Sequence, residues 1–546
     1  MAKKNRSKPT EIIRQGREKQ IPFIQKAGQT YQSVEPWIPW ILGGLYSIVM
    51  AYISFRYHTV GGLDVETDFY AELYPQARKL IEGQFSPLNY GAKGPVYSIL
   101  LAASYGIVRD YFVAGQVVNL FSSCVFIAAL YYLIKQVFNS LTALLTVLFV
   151  ISNFMFQKFT YQVSSDMPFM AFCVLSMLFL FRKGGARDLI LSSLFGILAF
   201  LTRYNGVFIA LGSVLYLSFE QIPFRERLKQ ILLWVGIFII AGLPWFIPNT
   251  IATGNPVHNN NYINVMLEFY GHGPEGLEYE NWTEALPKQF TGMGDIFLYD
   301  PVYFVKKMIF NVFDHYIWDM RGLIHIYPAR GNNFLQWSFP FFITVGLCAF
   351  WLCKPSRSMV RYFSFGLIYF LILTLVFYNA RFSLYLLAFY APLAVWPFTN
   401  EKISGRFGKF SWIPAAVIML SILNYTITST RAMLDDVRYT PYFLKEMGRA
   451  LDDYEPDKSR KLLARKPHVA YYADLVPSMF PDDTATVEEL VEYCRNNGID
   501  YILYSLVEAK YRPQLQDLLN FKKNHPGLEM IHVDKIFGVI YKVKGD

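Results

Sequence analysis

Three features of the sequence predict a polytopic α-helical membrane protein carrying a small C-terminal α/β domain. Only 17% of the 546 residues are charged and 53% are hydrophobic, whereas soluble domains carry about 25% charged residues. The apolar residues recur in uncharged blocks such as 111–134, 231–248 and 382–400, close to the ~20 residues that cross a hydrocarbon core. One such block could be a signal peptide, but a series cannot. Beyond residue 430 the blocks stop and short strand-like and helix-like runs alternate, as in α/β units.

Taken in order, residues 1–36 form a basic segment with Lys3, Lys4, Arg6, Lys8, Arg14, Arg17, Lys19 and Lys26. The positive-inside rule places it in the cytoplasm. Residues 37–428 form the transmembrane domain, with about eleven expected spans at 37–55, 111–134, 139–157, 167–181, 188–202, 205–219, 231–252, 337–353, 361–378, 382–398 and 411–428. Later basic clusters stand at Arg182/Lys183/Arg187, Arg225/Arg227/Lys229, Lys354/Arg357/Arg361 and Lys402/Arg406/Lys409. All of them face the cytoplasm only if the short apolar stretch 94–108 does not cross, so it is read as interfacial or re-entrant. The outer loops are then 56–110 and 253–336, the second with an amphipathic run at 304–320 suited to lying along the membrane. Residues 429–546 form the outer α/β domain. Its expected order is strand 468–473, helix 486–498, strand 499–505, helix 511–524 and strand 536–544.

Several function classes are excluded. The net charge of +9 sits in short loops between apolar blocks, where it serves topology and not nucleic-acid binding. Five cysteines offer neither metal spacing nor a disulfide framework. GxxxxGK[ST] does not occur, and the GxGxxG match at 271–276 (GHGPEG) stands in a polar loop and not between a strand and a helix, so no nucleotide site is signalled. His258, His272, His315 and His325 match no standard zinc spacing, and no metal site is assigned. Asn281, with Trp282 and Thr283, is a glycosylation sequon only in a eukaryotic cell.

Polar residues gather instead on the outer face. Asp64, Glu66, Asp68 and Glu72 crowd the start of the first loop, followed by helical spacing through Tyr70, Tyr74, Ala77 and Leu80, and then by Lys93. Later outer turns bring Asp166, then Arg203 with Tyr204, then Arg381. Ionisable groups at a membrane boundary are costly and are functional candidates, although a lone arginine there also snorkels. A carboxylate can take the proton of an attacking hydroxyl or amine. Arginine and lysine can hold a phosphate as its charge develops. This combination points to group transfer from a membrane-embedded phosphate donor.

The run D-x-Y-A…A-R-x-L-x-x-G (68–83), then K-G-P-x-Y (93–97), SSDMPF (164–169), A-F-L-T-R-Y-N-G (199–206) and P-W…N…G-N-P (244–256) resembles the GT-C glycosyltransferases. The branch is the glycosyltransferase family 39-like one, which includes protein O-mannosyltransferases and bacterial aminoarabinose transferases. The resemblance covers about residues 30–400. It implies a GT-C fold and inverting transfer of a sugar from a polyprenyl- or dolichyl-phosphate donor to a lipid, glycan or protein acceptor. It implies no required cofactor, although some relatives bind a divalent metal in the loop matching 253–336. It also implies a bacterial inner (plasma) membrane location with the active site on the extracytoplasmic side.

Carried over by residue, the family's first-loop aspartate falls on the acidic cluster. Relatives often read D-E-x-x-Y-A, an offset that lands on Glu66; bacterial relatives read D-x-Y, which lands on Asp68, two residues before Tyr70. Asp68 is the expected base, with Glu66 and Asp64 as alternatives, and Asp166 matches the second acidic position. Lys93 matches the lysine of K-P-P, with Gly94 in place of the first proline. Arg203 and Arg381 match phosphate-contacting arginines, and Tyr70 and Tyr204 complete the expected substrate contacts. A transporter or flippase of lipid-linked substrates would want polar helices at the midplane and inverted repeats, neither of which is visible. A non-catalytic scaffold would not need the acidic and basic positions that this chain carries.

Overall fold

Apolar stretches can satisfy their backbone in hydrocarbon only as helices or closed barrels, and the computed structural model is predominantly helical. It describes residues 34–271, 290–325, 337–400, 403, 405–410, 412–481 and 486–545. In chain order, α1 (Ile38–Tyr57) leads into the first loop, where a π-helical turn (Phe69–Leu73) continues as α2 (Tyr74–Ile81). Next come α3 (Val96–Val108), α4 (Tyr111–Val137), α5 (Ser140–Ser152) and α6 (Phe154–Tyr161). They are followed by α7 (Asp166–Arg182), α8 (Ala186–Thr202), α9 (Val207–Ser218), α10 (Phe224–Thr253) and α11 (Tyr262–Tyr270). The helical series ends with α12 (Met293–Tyr299), α13 (Pro301–Trp318), α14 (Ser338–Leu352), α15 (Arg357–Leu373), α16 (Leu387–Thr399) and α17 (Ile413–Arg438).

A helix occupies each expected span, but their lengths divide them. Five described segments are long and apolar enough to cross a membrane: Glu35–Tyr57, α4, α10, Phe382–Thr399 and the one beginning with α17. A sixth is the pair α5 and α6, bent by 66°. The bend has a local cause: Asn153 caps α6 by accepting from the Phe156 amide at 3.0 Å, which ends the α5 ladder one residue earlier. The helices α7, α8, α9, α14 and α15 have 12–17 residues, short for a core about 30 Å thick. The bundle's main apolar core draws on α4, α5, α7, α9 and α14–α17. Residues 304–318 of the 304–320 run lie in α13 and the last two open a π-helical turn (Asp319–Ile324); Val302, Val305, Ile309, Phe313 and Ile317 of α13 are all exposed along one stripe.

After α17 come α18 (Tyr442–Tyr454), β1 (Lys461–Leu463), α19 (His468–Tyr472), β2 (Val476–Ser478), α20 (Val487–Asn496), β3 (Tyr501–Ser505), α21 (Leu506–Tyr511), β4 (Leu528–Asp534) and β5 (Gly538–Val543). The strands form one sheet in the order β2-β1-β3-β5-β4, with β1 parallel to β2 and β3, and β5 antiparallel to both β3 and β4. Two apolar clusters contain its buried side chains. Two expectations are corrected here. Residues 468–473, read as a strand, form α19 because Val469, Ala470 and Ala473 pack together against Leu444 and Met447 of α18, overriding a β-like composition. The helix expected at 511–524 is a 3-10 turn over Pro513–Leu519, because Pro513 cannot donate to a helical ladder begun at α21.

Candidate active site

The first loop folds back through three side-chain anchors. Glu66 is fully buried and accepts from the Gly62 amide (2.7 Å), the Val163 amide (2.7 Å) and His58 Nε2 (2.9 Å). It therefore ties loop 61–68 to the turn before α7. The hydroxyl of Tyr70 accepts from the Gly61 amide at 2.9 Å, and its ring packs against residues 468–472. Asp64, by contrast, is largely exposed, 3.7 Å from Lys158.

Asp68 stands apart from these anchors on the wall of a cavity of about 430 Å³. One oxygen, Oδ2, accepts from Lys93 Nζ at 2.9 Å and from Arg381 Nη1 at 2.8 Å. Burial pushes its pKa up, but the ammonium and guanidinium outweigh burial and hold the carboxylate well below the ordinary range. Lys93 also donates to Glu72 Oε2 at 3.2 Å. Arg381 Nε donates to Asp166 Oδ2 at 2.9 Å, and Arg203 Nη1 donates to Asp166 Oδ1 at 2.6 Å. Three acids and three bases thus alternate in one chain: Glu72, Lys93, Asp68, Arg381, Asp166 and Arg203. Asp166 is buried behind the two arginines and does not line the cavity, so it orients them instead of facing a substrate.

Local structure explains each placement. Arg203 follows α8 in extended conformation (φ −149°), and a 3-10 turn at Tyr204–Gly206 starts α9. Asn205 donates to the Tyr369 hydroxyl at 3.2 Å, and that hydroxyl donates to the Phe382 carbonyl at 2.7 Å. The Arg203 turn is thereby coupled to the Arg381 turn, which opens with the Asn379 side chain accepting from the Arg381 amide. Arg381 Nη2 is buried without a partner among the described residues. Asn260 and Asn261 hold residues 91–93 from above, donating to the Gly91 and Ala92 carbonyls at 2.7 and 3.0 Å. The wall also includes the polar Glu72, Asn205, Asn259 and Asn264 and the apolar Val207, Val265, Ile372, Leu375, Val376 and Phe382.

A family model described as dolichyl-phosphate-mannose-protein mannosyltransferase matches residues 92–251, a stretch that includes Lys93, Asp166 and Arg203. No curated protein sequence matches the chain. Among solved structures it is similar to ArnT from Cupriavidus metallidurans bound to undecaprenyl phosphate. The identity is 12% and the TM-score 0.58, over 93% of this chain and 99% of that one. It is also similar to the archaeal oligosaccharyltransferase AglB from Archaeoglobus fulgidus in complex with an inhibitory peptide and a dolichol-phosphate. There the identity is 11% and the TM-score 0.54, over 93% of this chain and 74% of that one. The chain has the GT-C fold. It is an integral membrane protein whose apolar helices and structural neighbours agree.

Within this GT-C fold the cavity gathers Asp68, Lys93, Arg203, Tyr204 and Arg381 from four separate sequence regions. Glu66 and Tyr70 are not on its wall. The sequence reading did not assign Glu72, Asn205 or the asparagines at 259–264 to the site. Glu72, one helical turn after Asp68, and Asn205, within the run A-F-L-T-R-Y-N-G, had local signals; the asparagines at 259–264 had none. Of the four loop histidines, His258 is exposed, His315 packs edge-on against Tyr378, and His325 lies beside Trp337. His272 and Asn281 lie outside the described residues. Among the described residues no three His, Cys, Asp or Glu side chains come together as a metal site.

The departure from K-P-P at Gly94 has a steric cause. A Cβ there would stand 2.2 Å from the Leu201 carbonyl oxygen, so only glycine lets the Lys93 turn rest on the end of α8. Gly94→Ala should therefore separate Lys93 from Arg203 while leaving the bundle folded. The expected result is a fall in turnover, up to about 10²-fold for a displacement near 1 Å, measured with expression matched.

Proposed function

We propose that the chain is an inverting glycosyltransferase that moves a sugar from a polyprenyl-phosphate donor to an acceptor on the outer face of the membrane. The observation that carries this reading is the mixed lining of one cavity. Lys93, Arg203 and Arg381 stand on its wall with Asp68, and apolar side chains such as Val207, Val265, Ile372 and Phe382 line the same space. A prenyl chain suits the apolar wall and a phosphate suits the guanidinium pair. The undecaprenyl phosphate and dolichol-phosphate in the names of the two similar structures support the same donor class.

Asp68 takes the proton of the acceptor hydroxyl or amine as the acceptor atom bonds to the anomeric carbon of the sugar. The bond from that carbon to the phosphate oxygen breaks, and the charge of the departing polyprenyl phosphate falls on Lys93, Arg203 and Arg381. Attack opposite the leaving group inverts the anomeric configuration. The same geometry couples the steps: an arriving phosphate competes for Lys93 and Arg381, and so frees the Asp68 oxygen that they hold. These cations supply the charge that a divalent metal would otherwise contribute, so no cofactor is needed.

In this reading residues 1–36 are cytoplasmic, 37–428 form the eleven-span GT-C domain, and 429–546 form an extracytoplasmic α/β domain in a bacterial inner membrane. Transfer from a synthetic polyprenyl-phosphate sugar by the purified protein should proceed unchanged in excess chelator; loss of activity on chelation would contradict the metal-free mechanism. Reporter fusions after residues 184, 227, 358 and 405 should read cytoplasmic, and fusions near 300 and 545 should read outside. A cytoplasmic signal at 545 would mean that α3 crosses, and would put Asp166 and Arg381 on the wrong side.

A further inference from the structure

The loop that carries Asp68 has little regular structure of its own. Between Gly61 and Asp68 its backbone bonds are the turn contacts Thr67 N to Asp64 O (3.2 Å) and Asp68 N to Val65 O (3.3 Å). Residues 466–474, next to the C-terminal sheet, grip it on both sides of Asp68 in sequence. Lys466 Nζ donates to Thr67 Oγ1, one residue before Asp68, at 3.1 Å. His468 Nε2 donates to the Gly62 carbonyl at 3.1 Å, and its ring lies 4.0 Å from that of Tyr70. The Tyr472 hydroxyl bonds with the Tyr70 hydroxyl at 3.0 Å. The Tyr471 ring sits against Phe69, Tyr70 and Tyr74 at 5.7, 5.0 and 4.7 Å. Arg78 in α2 closes the series with Asp474 at 2.7 Å.

We infer that residues 466–474 act as a positioning strap for the Asp68 carboxylate, and that this is what the C-terminal unit contributes to transfer. The inference rests on the reading of Asp68 as the base. Without donor, the carboxylate is held by Lys93 and Arg381. Once a phosphate engages those two cations, the strap and the Glu66 anchor still fix the Asp68 backbone. A carbonyl is the partner of His468 Nε2, so that nitrogen carries the proton. Burial, the largest influence on the ring, lowers its pKa to about 4 and keeps it neutral at ordinary pH. Lys466, His468 and Tyr472 are therefore positioning residues, and they act through Thr67, Gly62 and Tyr70.

The test uses the full-length protein in detergent and two readouts, transfer kinetics and amide hydrogen exchange of residues 61–72 with polyprenyl phosphate bound. Lys466→Ala, His468→Ala and Tyr472→Phe should each lower kcat, by up to about 10²-fold for a displacement near 1 Å, with donor KM unchanged. Exchange in 61–72 should rise in each. Lys466→Arg and His468→Gln keep a donor and should stay close to wild type. In an Asp68→Asn background the strap variants should cost nothing further. Wild-type kcat and exchange in all three strap variants, beside an inactive Asp68→Asn, would overturn the strap and leave the base intact. A parallel fall in donor affinity, with exchange rising throughout the chain, would overturn it too, since that marks a general folding role. Faster exchange confined to 61–72, with Asp68→Asn fully active, would instead sink the reading of Asp68 and leave the contact standing.

Discussion

Asp68→Asn should lower kcat by about 10²–10⁴-fold, the usual contribution of a positioned general base. The substitution keeps the size of the side chain and an oxygen that can accept from Lys93 and Arg381, but it cannot take the acceptor's proton. Donor affinity should hold or tighten, because the carboxylate that competes with phosphate for those two cations is gone. That pairing of outcomes separates a base from a phosphate ligand. Glu66→Gln should behave differently: the acid is fully buried among two amides and His58, so its loss should loosen the fold more than the chemistry. An active Asp68→Asn beside a stable, inactive Glu66→Gln would move the base by two residues.

Arg381→Met should have the second large effect, on stability and on binding together. Arg381 is the only described side chain that bonds to both Asp68 and Asp166. Removing it leaves Asp166, only 5% exposed, with one cation. Breaking a buried pair by deleting one partner costs about 3–5 kcal/mol, and thermal unfolding of the purified variant should report it. Arg381→Lys should cost less in stability, yet a point charge cannot reproduce the forked contact, and donor affinity should still fall. Adding Asp166→Asn to Arg381→Met should restore much of the stability and none of the donor binding. Recovery of both would make Arg381 a structural residue alone.

Much of this arrangement was legible in the sequence because bilayer physics writes long signals. Uncharged blocks marked the expected spans, although 139–157 is two helices bent at Asn153, and charge expected on the side opposite to the basic loops marked Asp68, Lys93, Asp166, Arg203 and Arg381. The structure brings all five into one network. What remained hidden is tertiary. Asp166 looks like a second acid in sequence, but it lies behind the arginines because α7 starts beneath them. Tyr70 looks like a substrate contact, but its hydroxyl is occupied by Gly61 and Tyr472. The asparagines at 259–264 meet the Lys93 turn only because α10 returns the chain to it. Residues 468–473 carry strand-like side chains and still form a helix, since the partners that decide it lie on α18 and in the first loop.

The central claim is that the cavity holds a lipid-linked phosphate between Lys93, Arg203 and Arg381. Equilibrium binding of a radiolabelled polyprenyl phosphate to the purified protein in detergent tests it most directly. Wild type and Asp68→Asn should bind saturably at one site, while Arg203→Lys and Arg381→Lys should weaken binding about tenfold or more, the loss of one charge-assisted hydrogen bond of ~1.5–3 kcal/mol. Binding that is absent in wild type, or equal in all four proteins, would contradict it.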